Sequence, residues 1–114
     1  MINDLIDKKT GFSMPSAKNF DVKKLFSLDN CTTLITGSAQ GIGRVAAISC
    51  GKAGSKIAIT DKDIKSAKLL EKELQDANIK AKAWELDVNY EENIIDTFNK
   101  VEKDLFKQKA ETVY

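Results

Sequence analysis

The chain has 114 residues, with 18 Lys+Arg against 17 Asp+Glu, no His, two Cys and one Pro, a length that holds one small domain and leaves no room for a second core. A net charge of +1 with scattered basic residues argues against nucleic-acid and membrane-surface partners, and no apolar run approaches the ~18 residues of a spanning helix. Lack of His removes His-based metal sites and His acid–base schemes, leaving no metal-ligating set, while the lone Cys31 and Cys50 suit a reducing, cytoplasmic compartment.

Residues 1 to 28 read as an irregular lead-in. Met1 to Lys9 mixes acids and bases without an apolar core, so it reads as neither a signal nor a transit peptide. Gly11, Ser13, Pro15 and Ser16 follow without a sustained apolar period. Phe20, Val22, Leu25, Phe26 and Leu28 are spaced to dock a short helical turn on the body.

From Cys31 onward, apolar runs alternate with helical patterns. Thr32–Thr36 has the β-branched content of a buried strand and stops at Gly37. A helix is expected over about 41–53, with Ile42, Val45, Ala46, Ser49 and Ala53 as its inner stripe and Gly54 as its end. A second strand, 56–60, precedes a helix over 63–77 with Ile64, Ala67, Leu70, Leu74 and Ala77 facing inward and Asn78 ending it. A third strand is expected over 82–87, where Trp84 belongs to the core or the sheet surface. The last helix, about 91–106, places Ile94, Ile95, Phe98, Val101 and Leu105 inward behind an Asn89-x-x-Glu92 capping box. Strands and helices alternating through short connections predict an α/β, Rossmann-like three-layer fold of parallel βαβ units.

The turn after the first strand reads Thr36-Gly37-Ser38-Ala39-Gln40-Gly41-Ile42-Gly43 and opens a helix. Gly37 permits a sharp turn off the strand. Gly41 and Gly43 permit close approach of a diphosphate to the amides at the helix N-terminus. The spacing is neither the G-x-G-x-x-G of the usual dinucleotide fingerprint nor a P-loop. Its strand-to-helix context, with acids at the next two strand ends, makes it a candidate dinucleotide site. Flavin enzymes and methyltransferases use other glycine spacings.

With Thr36-Gly37-x-x-x-Gly41-Ile42-Gly43, the acid Asp61 after the second strand and Leu86-Asp87-Val88 after the third, the chain resembles the short-chain dehydrogenase/reductase family over about residues 27 to 106. The lead-in Phe26-Ser27-Leu28 is similar to that of fungal sugar and polyol reductases of the family. The resemblance implies a nicotinamide cofactor and hydride transfer to or from an alcohol or carbonyl. It implies that Asp61, 18 positions after Gly43, accepts from the adenosine ribose hydroxyls, or else caps the following helix. A carboxylate there favours NAD over NADP, although Lys62 beside it supplies a partial counter-charge to a 2′-phosphate. Asp87 is placed at the adenine amino group with Val88 against the ring, or else closes the strand as a turn acid. Ser38 and Gln40 are loop positions at the phosphate, and Arg44 points to phosphate or solvent.

The family's catalytic Tyr-x-x-x-Lys is absent from these residues: Tyr90 is followed four places on by Ile94, and Tyr114 is the last residue. The expected organisation is a lead-in at 1–28, a partial NAD(P)-binding domain at 29–106, cut after about three strands in the order 3-2-1, and a polar tail at 107–114 carrying no strand. Such a chain is expected to be inactive alone, with one open sheet edge, marginal stability, and oligomer contacts only through absent downstream sequence. The alternatives are a non-catalytic dinucleotide-binding module and an inert remnant.

Overall fold

A computed structural model describes residues 17–18, 20–105 and 112–113. The readings at Met1–Lys9, Gly11, Ser13, Pro15 and Ser16, the helix end at Phe106 and most of the tail lie outside these residues.

Strands β1 (Thr32–Thr36), β2 (Lys56–Asp61) and β3 (Ala81–Glu85) form a parallel sheet. β1 runs beside β2 from Thr32↔Lys56 to Thr36↔Thr60, and β2 beside β3 from Ile57↔Ala81 to Asp61↔Glu85. The order β3-β2-β1 matches the expectation from the alternating pattern. Helices α1 (Val22–Leu25), α2 (Gly41–Lys52), α3 (Ile64–Asp76) and α4 (Glu91–Leu105) complete the unit.

β2 lies between β1 and β3 and is covered on both faces, which explains its unbroken apolar run. Ile57 and Ile59 join Ile35, Ala47, Ala67, Leu70, Leu74, Ile79, Ala81 and Ala83 in the core beneath α2 and α3. Ala58 faces the other way and packs with Leu34, Trp84, Val101 and Leu105 beneath α4. The last helix therefore docks on this face through Val101 and Leu105. Trp84 is buried in that second core, with the Lys82 ammonium 5.4 Å from its ring centroid.

Four expectations change. The tail, read as strandless, contributes β4 (Thr112–Val113), which pairs parallel with β1 at Thr33 and Leu34. β1 consequently has neighbours on both sides instead of an open edge. Two β-branched residues in a polar octapeptide are too few to show a period, although their propensity suits a strand.

The inner face of α2 also differs. Ala47 and Gly51 are buried, and Ala46, Ile48 and Cys50 pack beside them, whereas Ile42 and Val45 are exposed. A Cβ at Gly51 would lie 2.8 Å from Ile79 Cγ2 and 3.4 Å from Ile57 Cγ1, so the missing side chain is what lets α2 settle on this face.

The start of α4 is shifted by one residue from the capping box at Asn89. Tyr90 O accepts the Ile94 N–H, so Tyr90 is the residue preceding the helix. Asn93 Oδ1 instead reaches back to the Asp87 N–H at 2.7 Å. Of the α4 residues expected inside, Ile94 and Ile95 are exposed, while Thr97, not expected there, is buried.

In the lead-in, α1 is the expected short turn, capped by the Asp21 side chain accepting from Lys24 N–H at 3.2 Å. The docking expected of its apolar residues does not occur: Phe20, Val22, Leu25 and Phe26 are exposed. The segment is tied to the body by the Leu28 N–H donating to Ala53 O at 2.8 Å.

Candidate functional site

β1 has β2 on one side and β4 on the other: the chain builds outward from β1 through β2 to β3 and then returns to the far side of β1, so the strand order reverses there. In open parallel sheets, ligands bind outside the carboxyl ends of the strands at such a switch point. The glycine turn occupies that position here, between Thr36 of β1 and the first residue of α2.

Gly37 and Gly41 adopt φ of +63° and +62°, the left-handed region that penalises side chains. A Cβ built on either would meet no atom within 4 Å, so both positions border open space. Gly43 is different. Its Cβ would overlap the Gly37 carbonyl oxygen and lie 3.0 Å from Ser38 Cα. Its side chain is therefore excluded by the turn itself, independently of any diphosphate.

α1 and α3 each begin with an Asp side chain bonded to a first-turn amide. α2 does not. Gln40 precedes it in extended conformation (φ −153°) with no side-chain cap, and its first turn carries no acid. The opening amides of α2 thus lack a side-chain cap at the positive end of the helix dipole, next to the open position at Gly41. Ile42 is 90% exposed beside them.

Ser38, expected at the phosphate, is turned inward. Its hydroxyl is fully buried, donates to Thr60 O at 3.3 Å and accepts from Thr60 N–H at 3.1 Å. The Ser38 N–H also donates to Thr60 O at 3.1 Å. Thr60 Oγ1 in turn donates to Ile35 O at 2.7 Å. Ser38 is a latch between the turn and β2.

Asp61 does not cap α3. That role falls to Asp63, whose carboxylate accepts from Ser66 N–H at 3.2 Å and Ser66 Oγ at 2.7 Å. These two bonds, the hydroxyl's first, hold the Asp63 carboxyl below its ordinary value. Asp61, 8% exposed, accepts from Ala39 N–H through Oδ2 and from Asp63 N–H through Oδ1, each at 2.9 Å. Its carbonyl receives the Leu86 N–H at 2.9 Å. The glycine turn, Asp61 and the stretch entering Asp87 are thereby joined in one row across the ends of the three strands.

Asp87 Oδ1 accepts from Asn89 N–H at 3.0 Å, closing the turn after β3, and Val88 beside it is exposed. Asn93, which holds this turn from inside α4, escaped the sequence reading; its signal is a polar side chain in a helix's first turn, able to reach back. Arg44 Nη2 donates to both carboxylate oxygens of Glu73 on α3, at 2.9 and 2.8 Å.

An open depression of about 730 Å³ lies at the opposite end of the sheet, lined by Lys24, Phe26, Lys52 and Gly54 among others, and is remote from the glycine turn. Among the described residues no group of His, Cys, Asp and Glu is arranged to hold a metal ion. No helix among them is long and apolar enough to cross a membrane.

A family model described as short chain dehydrogenase matches residues 31–109. The chain belongs to the short chain dehydrogenase family. Within it, the chain is similar to the 5-keto-D-gluconate 5-reductase of Escherichia coli (strain K12), with 40% identity over 81 residues, 71% of this chain and 32% of that one. It spans about a third of that relative's length. A 7α-hydroxysteroid dehydrogenase solved with NADH and 7-oxo glycochenodeoxycholic acid superposes with a TM-score of 0.77 at 26% identity, over 82% of this chain and 36% of that one. A structure from Haemophilus influenza with bound NAD gives a TM-score of 0.72 at 25% identity, over 82% and 32% of the two chains. Short chain dehydrogenases are oxidoreductases with a Rossmann-type sheet, and these two solved relatives hold a nicotinamide dinucleotide.

The residues present fit such a group. The glycine turn offers open space at Gly37 and Gly41, its helix has no side-chain cap, and acids stand at the ends of β2 and β3.

Proposed function

We propose that this chain holds the adenosine diphosphate half of a nicotinamide dinucleotide across the carboxyl ends of β1, β2 and β3, in the service of hydride transfer on an alcohol or carbonyl of the sugar or polyol class. The observation that carries this reading is the pair of left-handed glycines, Gly37 and Gly41, bordering open space at an N-terminus that no side chain caps. Backbone N–H groups of Gly41, Ile42 and Gly43 take the diphosphate, with Gln40 at its edge. The Asp61 carboxylate accepts from the ribose hydroxyls, Asp87 accepts from the adenine amino group, and Val88 lies along the ring.

When bound, the nicotinamide supplies the hydride acceptor or donor. NAD is the preferred form, because a carboxylate at position 61 repels a 2′-phosphate; exposed Lys62 reduces the margin. The 5-keto-D-gluconate reductase relative supports a sugar-acid carbonyl as substrate. The proton-transferring Tyr-x-x-x-Lys of the family does not occur in these residues, so the 114-residue chain is expected to bind without turning over. The binding unit is assigned to residues 29–106, working in the cytoplasm.

Calorimetric titration of the chain with NAD and NADP, beside an assay with NADH and 5-keto-D-gluconate, tests the proposal. The expected result is NAD binding tighter than NADP binding, with no turnover. A folded sample that binds neither nucleotide overturns it.

A further inference from the structure

The Asp61 carboxylate is engaged before any ligand arrives. Oδ2 receives the Ala39 N–H and Oδ1 the Asp63 N–H, each at 2.9 Å, and the residue is only 8% exposed. Ala39 stands two residues before Gly41, inside a segment bounded by glycines with φ of +63° and +62°. Glycine at both ends gives such a turn several accessible paths. Local sterics therefore do not hold it; its rungs to β2 do. One rung is Ser38 with Thr60, and the other is Ala39 with the Asp61 carboxylate.

We propose that Asp61 is a positioning residue for the phosphate cradle: its carboxylate pins the glycine turn to the end of β2 and so sets where the opening amides of α2 stand. This rests on the turn being the diphosphate site. It adds that Asp61 acts on a part of the ligand it does not touch. Each carboxylate oxygen has two acceptor positions, so the same group can receive a ribose hydroxyl while keeping its amide. Ribose recognition and diphosphate recognition then share one side chain, and an Asp61 variant loses both.

Asp61→Asn keeps the shape, but one of its two oxygens becomes an amide donor facing a donor. The probes are inorganic pyrophosphate, which has no ribose, and adenosine, which has no phosphate. Binding is followed by the backbone amide resonances of residues 41–44, with far-ultraviolet circular dichroism and the fluorescence of the single Trp84 checking the fold. Asp61→Asn is expected to weaken pyrophosphate about tenfold, as well as adenosine, with an unchanged fold and a displaced Ala39 amide resonance. Weakened adenosine with unchanged pyrophosphate makes Asp61 a ribose acceptor only; that overturns this inference and leaves the proposed function standing. If pyrophosphate moves no amide of residues 41–44 in the wild-type chain, the diphosphate reading fails, and this inference with it.

Should Asp61→Asn not fold, the wild-type chain decides by hydrogen exchange. The Ala39 amide is expected to exchange at least tenfold more slowly than that of Gln40, and more slowly still with pyrophosphate. An unprotected Ala39 amide overturns the proposal.

Discussion

The Glu71 side chain of α3 closes the outer edge of the sheet by accepting the Ala83 N–H of β3 at 2.6 Å. One turn later in α3, Gln75 Nε2 donates to Ala81 O at 3.0 Å. Ala81 and Ala83 are the β3 positions whose backbone groups point away from β2, so two helix side chains stand in for a missing strand. Open strand edges invite pairing with other chains. Glu71→Ala is expected to cost about 1–3 kcal/mol by leaving the Ala83 amide without a partner. The Glu71→Ala/Gln75→Ala pair is expected to add self-association, read by light scattering against protein concentration. Lys68→Ala removes only an exposed 3.4 Å ion pair with Glu71 and is expected to change stability by less than about 1 kcal/mol.

The Gly51 site on α2 yields a second prediction. Replacing Gly51 by Ala gains helix propensity of about 0.5–1 kcal/mol. The new methyl would however stand 2.8 Å from Ile79 Cγ2 and 3.0 Å from Ile79 Cδ1, and overpacking of this kind costs about 1–3 kcal/mol. Gly51→Ala is therefore expected to lower stability in urea titration. Combined with Ile79→Ala, which clears both contacts, it is expected to cost less than the sum of the single changes.

The same residue explains where sequence reasoning stopped. α3 carries charges on one side and Leu70 and Leu74 on the other, and its buried face was legible. α2 is apolar nearly all round through Ile42, Val45, Ala46, Ala47, Ile48 and Cys50, so its period marks no single face. What selects the face is the space at Gly51, set by Ile57 and Ile79 from other elements. The glycine turn and the acids at the strand ends were visible because their spacing is local. The inward turn of Ser38 was not, since its partner Thr60 lies 22 residues away. The two-residue β4 has no period to read.

Acid should weaken the start of α3 in a defined way. The Ser66 hydroxyl and amide lower the Asp63 carboxyl from its ordinary value of 3.8. With the folded value below the unfolded one, the cap's contribution is complete above the unfolded value and is lost as pH falls through the folded one. Asp63→Ala is expected to melt below wild type at pH 6. The gap should begin to close near the ordinary value and vanish below the lowered one. Thermal melts of both proteins across that range check this; a gap that persists in strong acid assigns the Asp63 effect to something other than its charge.

The two glycines that open α2 are expected to fail differently. At Gly43 an added Cβ runs into the Gly37 carbonyl oxygen and the Ser38 backbone. Backbone cannot swing aside as a side-chain tip can, so Gly43→Ala must push α2 away from the turn. The expected cost is about 1–3 kcal/mol, with NAD affinity lost along with the geometry. At Gly41 an added Cβ meets nothing, and the penalty is the left-handed φ of +62°, about 1–2 kcal/mol. Gly41→Ala should therefore stay folded while its methyl projects into the space assigned to the diphosphate, and NAD affinity should fall at least tenfold. Calorimetry on the two variants, each compared with its own melting curve, separates a damaged turn from an obstructed one. NAD binding to Gly41→Ala with wild-type affinity would mean that the open space at the turn is not where the diphosphate rests.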